Sequence, residues 1–145
     1  MANVGDSTVI ACINGKAEVL SKDHKASDPE EVQRIERQGG AVLSGRINGY
    51  LAVGRALGDY NFRPFVSEIP FIRFGKLPVE TKFVIIASDG LWDVVSHQEA
   101  VDAVIELESP SIMAHKLGAL ALRKRTRDNV TCGVILFDRM SSAFF

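Results

Sequence analysis

Three aspartates stand at the tips of apolar runs, a placement that suits the capture of a cation. Phe83-Val84-Ile85-Ile86-Ala87-Ser88 runs into Asp89-Gly90, and Asp128-Asn129 leads into Val130 through Phe137. Both runs are rich in β-branched residues and about as long as a strand. If they pair antiparallel, the end of the first lies beside the start of the second, and Asp89 and Asp128 meet at one sheet edge. A third strand candidate, Ser7 to Ile13, begins just after Asp6 and would bring that carboxylate to the same rim. Clustered carboxylates repel one another and persist where a cation neutralises them. An all-oxygen donor set suits hard ions such as Mg²⁺ or Mn²⁺. Each aspartate taken singly also reads as a turn cap, since Asp-Gly and Asp-Asn steps favour turns. On these residues alone both readings stay open.

The elements that must position these groups can be traced along the chain. Thr8-Val9-Ile10-Ala11-Cys12-Ile13 and Lys16-Ala17-Glu18-Val19-Leu20 flank Asn14-Gly15, a pair favoured where both turn positions need positive φ. Ala41-Val42-Leu43 and Arg46-Ile47, then Asn48-Gly49 and Tyr50-Leu51-Ala52-Val53, give a second hairpin signal. Between them lies a short helix. Asp28 caps it, Pro29 fits its first turn, Glu30 and Glu31 complement its dipole, and Gly39-Gly40 ends it. Its apolar face holds only Val32 and Ile35, which places it on the surface.

Tyr60 to Pro78 is rich in Pro and Phe without a clean period, a loop-dominated excursion packed by Phe62, Phe65, Phe71 and Phe74. Ser96-His97-Gln98-Glu99 is a capping box opening a helix through Leu107, with Val101, Val104, Ile105 and Leu107 inward. Ser109-Pro110 opens another through Arg123, carrying Ile112, Met113, Leu117, Leu120 and Leu122. Met140 to Phe145 reads as a tail. Strands dominate the first half and two helices precede the last strand, an α+β layout in which helices cover an antiparallel sheet.

With 145 residues the chain can form one domain with a real core. A net charge of -1 argues against a general nucleic-acid binder. Charged residues or glycine interrupt every apolar run before it reaches membrane-spanning length, so no membrane association is expected. No basic segment followed by an apolar block opens the chain, and no secretory signal is expected. Cys12 and Cys132 fall inside strand candidates without metal-ligand spacing, so they read as reduced, buried thiols of a cytoplasmic or nuclear protein. The run Arg123-Lys124-Arg125-Thr126-Arg127 reads as cations matched to a helix C-terminus, with a nuclear signal or phosphate contact as the sharper reading. Trp92 reads as a core anchor. His24 falls in a turn motif and His97 and His115 on helices, all three expected at the surface or partly buried.

Together these segments resemble the metal-dependent protein phosphatase family of the protein phosphatase 2C type. Ala2-Asn3-Val4-Gly5-Asp6-Ser7 matches the family's Ala-Asn-x-Gly-Asp-Ser motif, and Ser21-Lys22-Asp23-His24-Lys25 resembles its Thr-x-Asp-His-Lys segment. Glu31 through Gly40 resembles its Glu-x-x-Arg-Ile-x-x-x-Gly-Gly helix. Leu51 through Asp59 resembles Leu-Ala-Val-Ser-Arg-Ala-Leu-Gly-Asp, with Gly54 in place of Ser, and Ala26 stands where Pro is usual. Ala87-Ser88-Asp89-Gly90-Leu91-Trp92-Asp93-Val94 and Arg127-Asp128-Asn129-Val130-Thr131 complete the series in order. The resemblance implies a sandwich of two antiparallel sheets flanked by helices. It implies two Mg²⁺ or Mn²⁺ ions whose bridging water attacks phosphoserine or phosphothreonine without a phosphoenzyme intermediate. Asp89 and Asp128 then match carboxylates of the core metal site, and Asp6 with Asp89 the ligands of an auxiliary third-metal site. Gly39 to Gly49 matches part of the flap beside the active site, while Asp59 and Asp93 are assigned structural roles.

Other family features do not occur in this chain: the acidic first strands, a phosphate-gripping Arg and an Asp-Gly-His-Gly-Gly motif. Residues 1–145 therefore resemble one partial domain, the C-terminal half of the catalytic unit, without the family's N-terminal strands. No residue is assigned a catalytic role beyond metal ligation. The expected function is that of a serine/threonine phosphatase acting on phosphoprotein substrates, with little activity in this chain alone. The alternative is a non-catalytic pseudophosphatase or binding module. Uncovered sheet surface leads us to expect self-association or a second polypeptide that complements the missing half.

Overall fold

Asn14 and Gly15 take φ of 50° and 78°, so the chain reverses in two residues and the expected first hairpin forms. The computed structural model describes residues 1–137; the expected tail Met140 to Phe145 lies outside them. Its strands are Ala2–Asn3 (β1), Thr8–Ile13 (β2), Lys16–Val19 (β3), Val42–Leu43 (β4), Arg46–Ile47 (β5), Phe71–Ile72 (β6), Thr81–Ala87 (β7) and Cys132–Leu136 (β8). Its helices are Pro29–Arg37 (α1), Asp89–Trp92 (α2), His97–Val104 (α3) and Pro110–Arg123 (α4), with a 3₁₀ turn at Tyr60–Phe62. The residues fall into two compact units. One holds Met1–Ser7 and Ser21–Phe74, the other Thr8–Leu20 and the chain from Gly75 onward.

The second unit carries the layout expected from the pattern, an antiparallel sheet ordered β3-β2-β7-β8 with helices against it. Along β7, Phe83, Ile85 and Ala87 point to one face and Val84 and Ile86 to the other, the period of two that a strand imposes. On the first face Phe83, Ile85, Ile10 and Cys12 pack with Val101 of α3 and Met113 and Leu117 of α4. Full burial of a side chain such as Phe83 or Leu117 contributes about 2 kcal/mol. On the opposite face Ala11 and Val84 are buried, but Ile86 and Ile135 remain 42% and 50% exposed.

The helices start where the sequence marks them. Ser96 Oγ accepts the Glu99 amide at 3.3 Å, while the Glu99 carboxylate pairs with Lys124 at 2.7 Å. α3 closes at Val104, short of the expected Leu107. In α4 the buried residues are Met113, Leu117 and Ala121, four apart, whereas Ile112 and Leu122 are exposed. Each lies one residue, about 100° of helix rotation, off that stripe.

The first unit departs further from expectation. α1 is capped by Asp28, which accepts the Glu30 amide at 2.9 Å, and Gly39 follows it at φ 83°. Ile35 is buried with Ala26, Ile47 and Val66 in a small core. Glu31 is buried as well, at 1% exposure, so the helix is not merely a surface element. The second hairpin closes over Ser44-Gly45, not Asn48-Gly49; beyond Asn48-Gly49 only the single bridge Ile47↔Leu51 forms. Both dipeptides adopt positive φ, and the earlier one captures the ladder. Phe62 and Phe65 pack on the small core, but Phe74 is 92% exposed and packs nothing.

His24, expected near the surface, is fully buried. Its backbone amide and Nδ1 both engage the Gly5 carbonyl, at 3.0 and 3.1 Å, while Nε2 has no partner among the described residues. Burial and the nearby Arg55 charge hold its pKa below the ordinary 6.5.

Candidate metal centre

The register of β7 and β8 decides where the carboxylates go. Ala87 pairs with Cys132 at the end of the ladder. Asp89 follows Ala87 by two residues, and Asp128 precedes Cys132 by four. The antiparallel run therefore delivers both to the same end of the sheet, as expected. Ser88 continues the pairing past the strand: its amide donates to the Thr131 carbonyl at 3.0 Å and its Oγ accepts the Thr131 amide at 3.1 Å.

Asp89 opens α2 and is half-buried, and its carboxylate accepts no hydrogen bond among the described residues. Asp128 is exposed, and its Oδ1 accepts the Asn129 amide at 2.7 Å. That contact is the local turn-capping role that Asp128 also offered in the sequence. Asp93, the family-matched residue in the next turn, is exposed and donates its amide to the Asp89 carbonyl at 2.8 Å.

Gly90 is what lets the two loops touch. A Cβ there would lie 2.2 Å from the Asn129 carbonyl oxygen, so only glycine admits the backbone of the Asp128 loop at this distance. Trp92, at the end of α2, donates Nε1 to the Ala87 carbonyl at 3.0 Å and to the Thr8 carbonyl at 3.3 Å. Its ring meets His97 edge-on at 5.0 Å. It is also partly buried against the sheet core, the core-anchor role the sequence suggested.

Asp6 belongs to the other unit. There it lines a cleft of about 700 Å³ together with Asn3, Ser7, Arg55 and Glu68. The adjoining feature of that unit is an ion cluster the sequence reading passed over. Glu31 Oε1 accepts Arg55 Nε at 2.7 Å and Nη2 at 2.6 Å, and Oε2 accepts Arg34 Nη2 at 2.8 Å. Burial alone would raise the Glu31 pKa, but the bonds from Arg55 and Arg34 outweigh it and hold the carboxyl below 4.5. A Cβ on Gly54 would stand 2.6 Å from Glu31 Oε2, so the carboxylate lies close against the Gly54 backbone. The helix-opening Glu at 31 with Arg at 34 and 55 was legible as a motif but not as a buried cluster.

The donor set at Asp89 and Asp128 fits a hard divalent cation in kind: two carboxylates, one of them half-buried without a hydrogen-bond donor. It falls short in number. Among the described residues no three of His, Cys, Asp or Glu gather closely enough to hold a metal ion. The sequence reading also missed the hydroxyls of Ser88 and Thr126, which bind the two loops together. Their position beside Ser88-Asp89-Gly90 and Thr126-Arg127-Asp128-Asn129 was the available signal.

Comparison with known proteins gives the family and the fold. The family model for protein phosphatase 2C matches residues 1–130. Protein phosphatase 2C homolog 1 of Schizosaccharomyces pombe is 47% identical over 139 residues, covering 95% of this chain and 40% of that protein. Its counterpart in Saccharomyces cerevisiae is 44% identical over 134 residues, covering 92% and 48%. Among solved structures, a Caenorhabditis elegans sex-determining protein superposes with TM-score 0.84 at 29% identity over 92% of this chain and 35% of that one. A Toxoplasma gondii phosphatase gives 0.83 at 26% identity over 94% and 46%. The chain thus spans less than half the length of these relatives. It belongs to the protein phosphatase 2C family.

Proposed function

We propose that this protein acts as a metal-dependent serine/threonine phosphatase on phosphoprotein substrates, with Asp89 and Asp128 holding Mg²⁺ or Mn²⁺ and Asp6 serving an auxiliary metal site. The observation that carries the reading is the Ala87↔Cys132 register, which sets both carboxylates at one sheet end beyond the apolar core. When bound, the ions supply a water acidified at neutral pH and screen the phosphoryl charge. The chain's own contribution is to carry one hard oxygen donor at the start of α2 and the other in the segment before β8, with Gly90 letting the two backbones approach. Two carboxylates bind Mg²⁺ weakly, because that ion dehydrates reluctantly and demands near-octahedral geometry. The 145-residue chain alone is therefore expected to hydrolyse phosphate esters poorly.

The test is an assay with p-nitrophenyl phosphate and Mn²⁺. The chain is run alone and mixed with a separately expressed polypeptide covering the remaining part of the S. pombe relative. Poor turnover alone, restored by mixing and abolished by Asp89→Asn or Asp128→Asn, supports the reading. Full turnover by the mixture carrying either substitution overturns it. A second reading, a non-catalytic binding module, is favoured by the absence of a three-ligand group among the described residues; mixing that restores nothing would select it.

The exposed Ile86 and Ile135 extend the proposal to self-association or a complementing chain across that sheet face. Light scattering of the isolated chain is expected to show species larger than a monomer, and a uniform monomer removes this part. No helix among the described residues is long and apolar enough to cross a membrane. Two free thiols, Cys12 and Cys132, favour a reducing compartment, cytoplasm or nucleus.

A further inference from the structure

We propose that Thr126 is a positioning residue for the Asp89–Asp128 pair, its hydroxyl tying together the backbone segments that carry the two carboxylates. The proposal rests on the metal reading above. Thr126 Oγ1 donates to the Gly90 carbonyl at 2.8 Å and accepts the Asp128 amide at 3.4 Å. One hydroxyl thus joins the residue after the first carboxylate to the residue that bears the second. Thr126 is half-buried, whereas Arg125 and Arg127 on either side are exposed.

Its backbone is anchored independently. The Thr126 amide donates to the Ala121 carbonyl at 3.1 Å and the Arg125 amide to the Leu122 carbonyl at 2.9 Å. Arg125 sits at φ 61°. This is the Schellman ending of a helix, with an arginine in the left-handed position that glycine usually takes. The basic run read from the sequence as a solvated helix end is therefore also the device that delivers Thr126. Being β-branched, threonine has few χ1 choices, and its hydroxyl stays where the helix end puts it.

Ser88 makes a matching contact on the strand side. Its Oγ donates to the Asn129 carbonyl at 3.3 Å and accepts the Thr131 amide at 3.1 Å. Neither bond reaches Gly90 or Asp128, so Ser88 does not duplicate Thr126. Gly90 supplies the third constraint, its α-carbon lying against the Asn129 carbonyl. Strand end, glycine contact and threonine hydroxyl together join the two backbone segments that carry the carboxylates. An ion that demands near-octahedral oxygens at about 2.1 Å gains from this, because a backbone already fixed beneath its ligands has less freedom to lose on binding.

The test is a Mn²⁺ titration of the isotopically labelled 145-residue chain, read as paramagnetic broadening of its amide resonances. This detects weak binding and shows where it occurs. In the wild type, broadening is expected to concentrate at residues 89–90 and 128–129. Thr126→Val, which keeps shape and loses the hydroxyl, is expected to weaken apparent Mn²⁺ affinity about tenfold, the usual cost of removing an outer-shell partner. Thr126→Ser is expected to restore most of it, a rescue that a packing role alone would not give. Thr126→Ala adds no bulk and carries the same expectation as valine, so it replaces that variant if its folded spectrum is lost. Wild-type affinity in the hydroxyl-less variants overturns the positioning role and leaves the metal reading standing. A wild type that shows no broadening at either segment overturns both.

Discussion

The two units of this chain hold themselves together by opposite means. In the sheet unit the buried side chains are Phe83, Ile85, Leu91, Val101, Met113 and Leu117, set by the periods of strand and helix. In the other unit the strands are two residues long, the apolar core is four buried side chains, and a fully engaged carboxylate, Glu31, lies among them with two arginines. Apolar burial is additive and nearly indifferent to pH. A buried ion cluster depends on geometry and protonation, and removing one partner leaves the others exposed to an uncompensated cost. One polypeptide therefore carries a unit that should respond to lost volume and a unit that should respond to lost charge.

The sharpest way to test the contrast is to damage each core by its own logic. Phe83→Ala empties the centre of the sheet core and is expected to cost about 4 kcal/mol in urea unfolding. Glu31→Gln keeps the shape but leaves Arg34 and Arg55 without their anion, and is expected to cost about 3 kcal/mol. Both arginines are partly exposed, which sets the figure at the low end for a broken buried pair. Native-state hydrogen exchange should locate the two losses: Glu31→Gln lowering protection in α1 while the β7 and β8 amides keep theirs. Equal loss in both places would show that the units open together and the contrast has no energetic meaning.

That contrast also explains what the sequence made readable. The Asn14-Gly15 hairpin, the Ser109-capped α4 and the antiparallel meeting of β7 with β8 all follow from local periods and turn chemistry, so their residues announce them. That Asp89 and Asp128 lie toward one end of the sheet was legible for the same reason, as a consequence of strand pairing. Glu31 was not, because a glutamate in a first helical turn looks like dipole matching until Arg55, far along the chain, is folded against it. His24 was misjudged for a similar reason: its burial is set by the Gly5 carbonyl and by Gly54, whose amide donates to the His24 carbonyl at 2.7 Å. Ser44-Gly45 and Asn48-Gly49 both satisfied the turn rule, and only tertiary packing chose between them. Thr126 lay hidden inside a basic run whose charge drew the attention its hydroxyl merited.

Acid separates the units next. His24 has its folded pKa depressed below 6.5, so the unfolded chain takes up a proton first as pH falls. Its stabilising contribution is complete above 6.5 and is lost as pH drops from there through the folded pKa. Glu31, also depressed, contributes fully above 4.5 and loses its contribution as pH falls below that value through its folded pKa. Both signs agree: α1 should lose exchange protection in two stages on acidification, with β7 lagging. His24→Gln should abolish the earlier stage and leave the later one. An early stage that survives the substitution would assign it to another group.

The smallest effect probes whether burial, not charge as such, makes the difference. Lys124 and Glu99 pair at 2.7 Å between α4 and α3 in the sheet unit, each side chain 38% exposed. The contact distance matches those around Glu31, yet water screens both charges and both side chains give up conformational freedom to meet. Lys124→Ala is therefore expected to cost about 0.5 kcal/mol or less, and that little should vanish in added salt. A salt-insensitive loss as large as that of Glu31→Gln would mean that ion pairs hold the sheet unit too, and the division between a volume-governed and a charge-governed half would have to be redrawn.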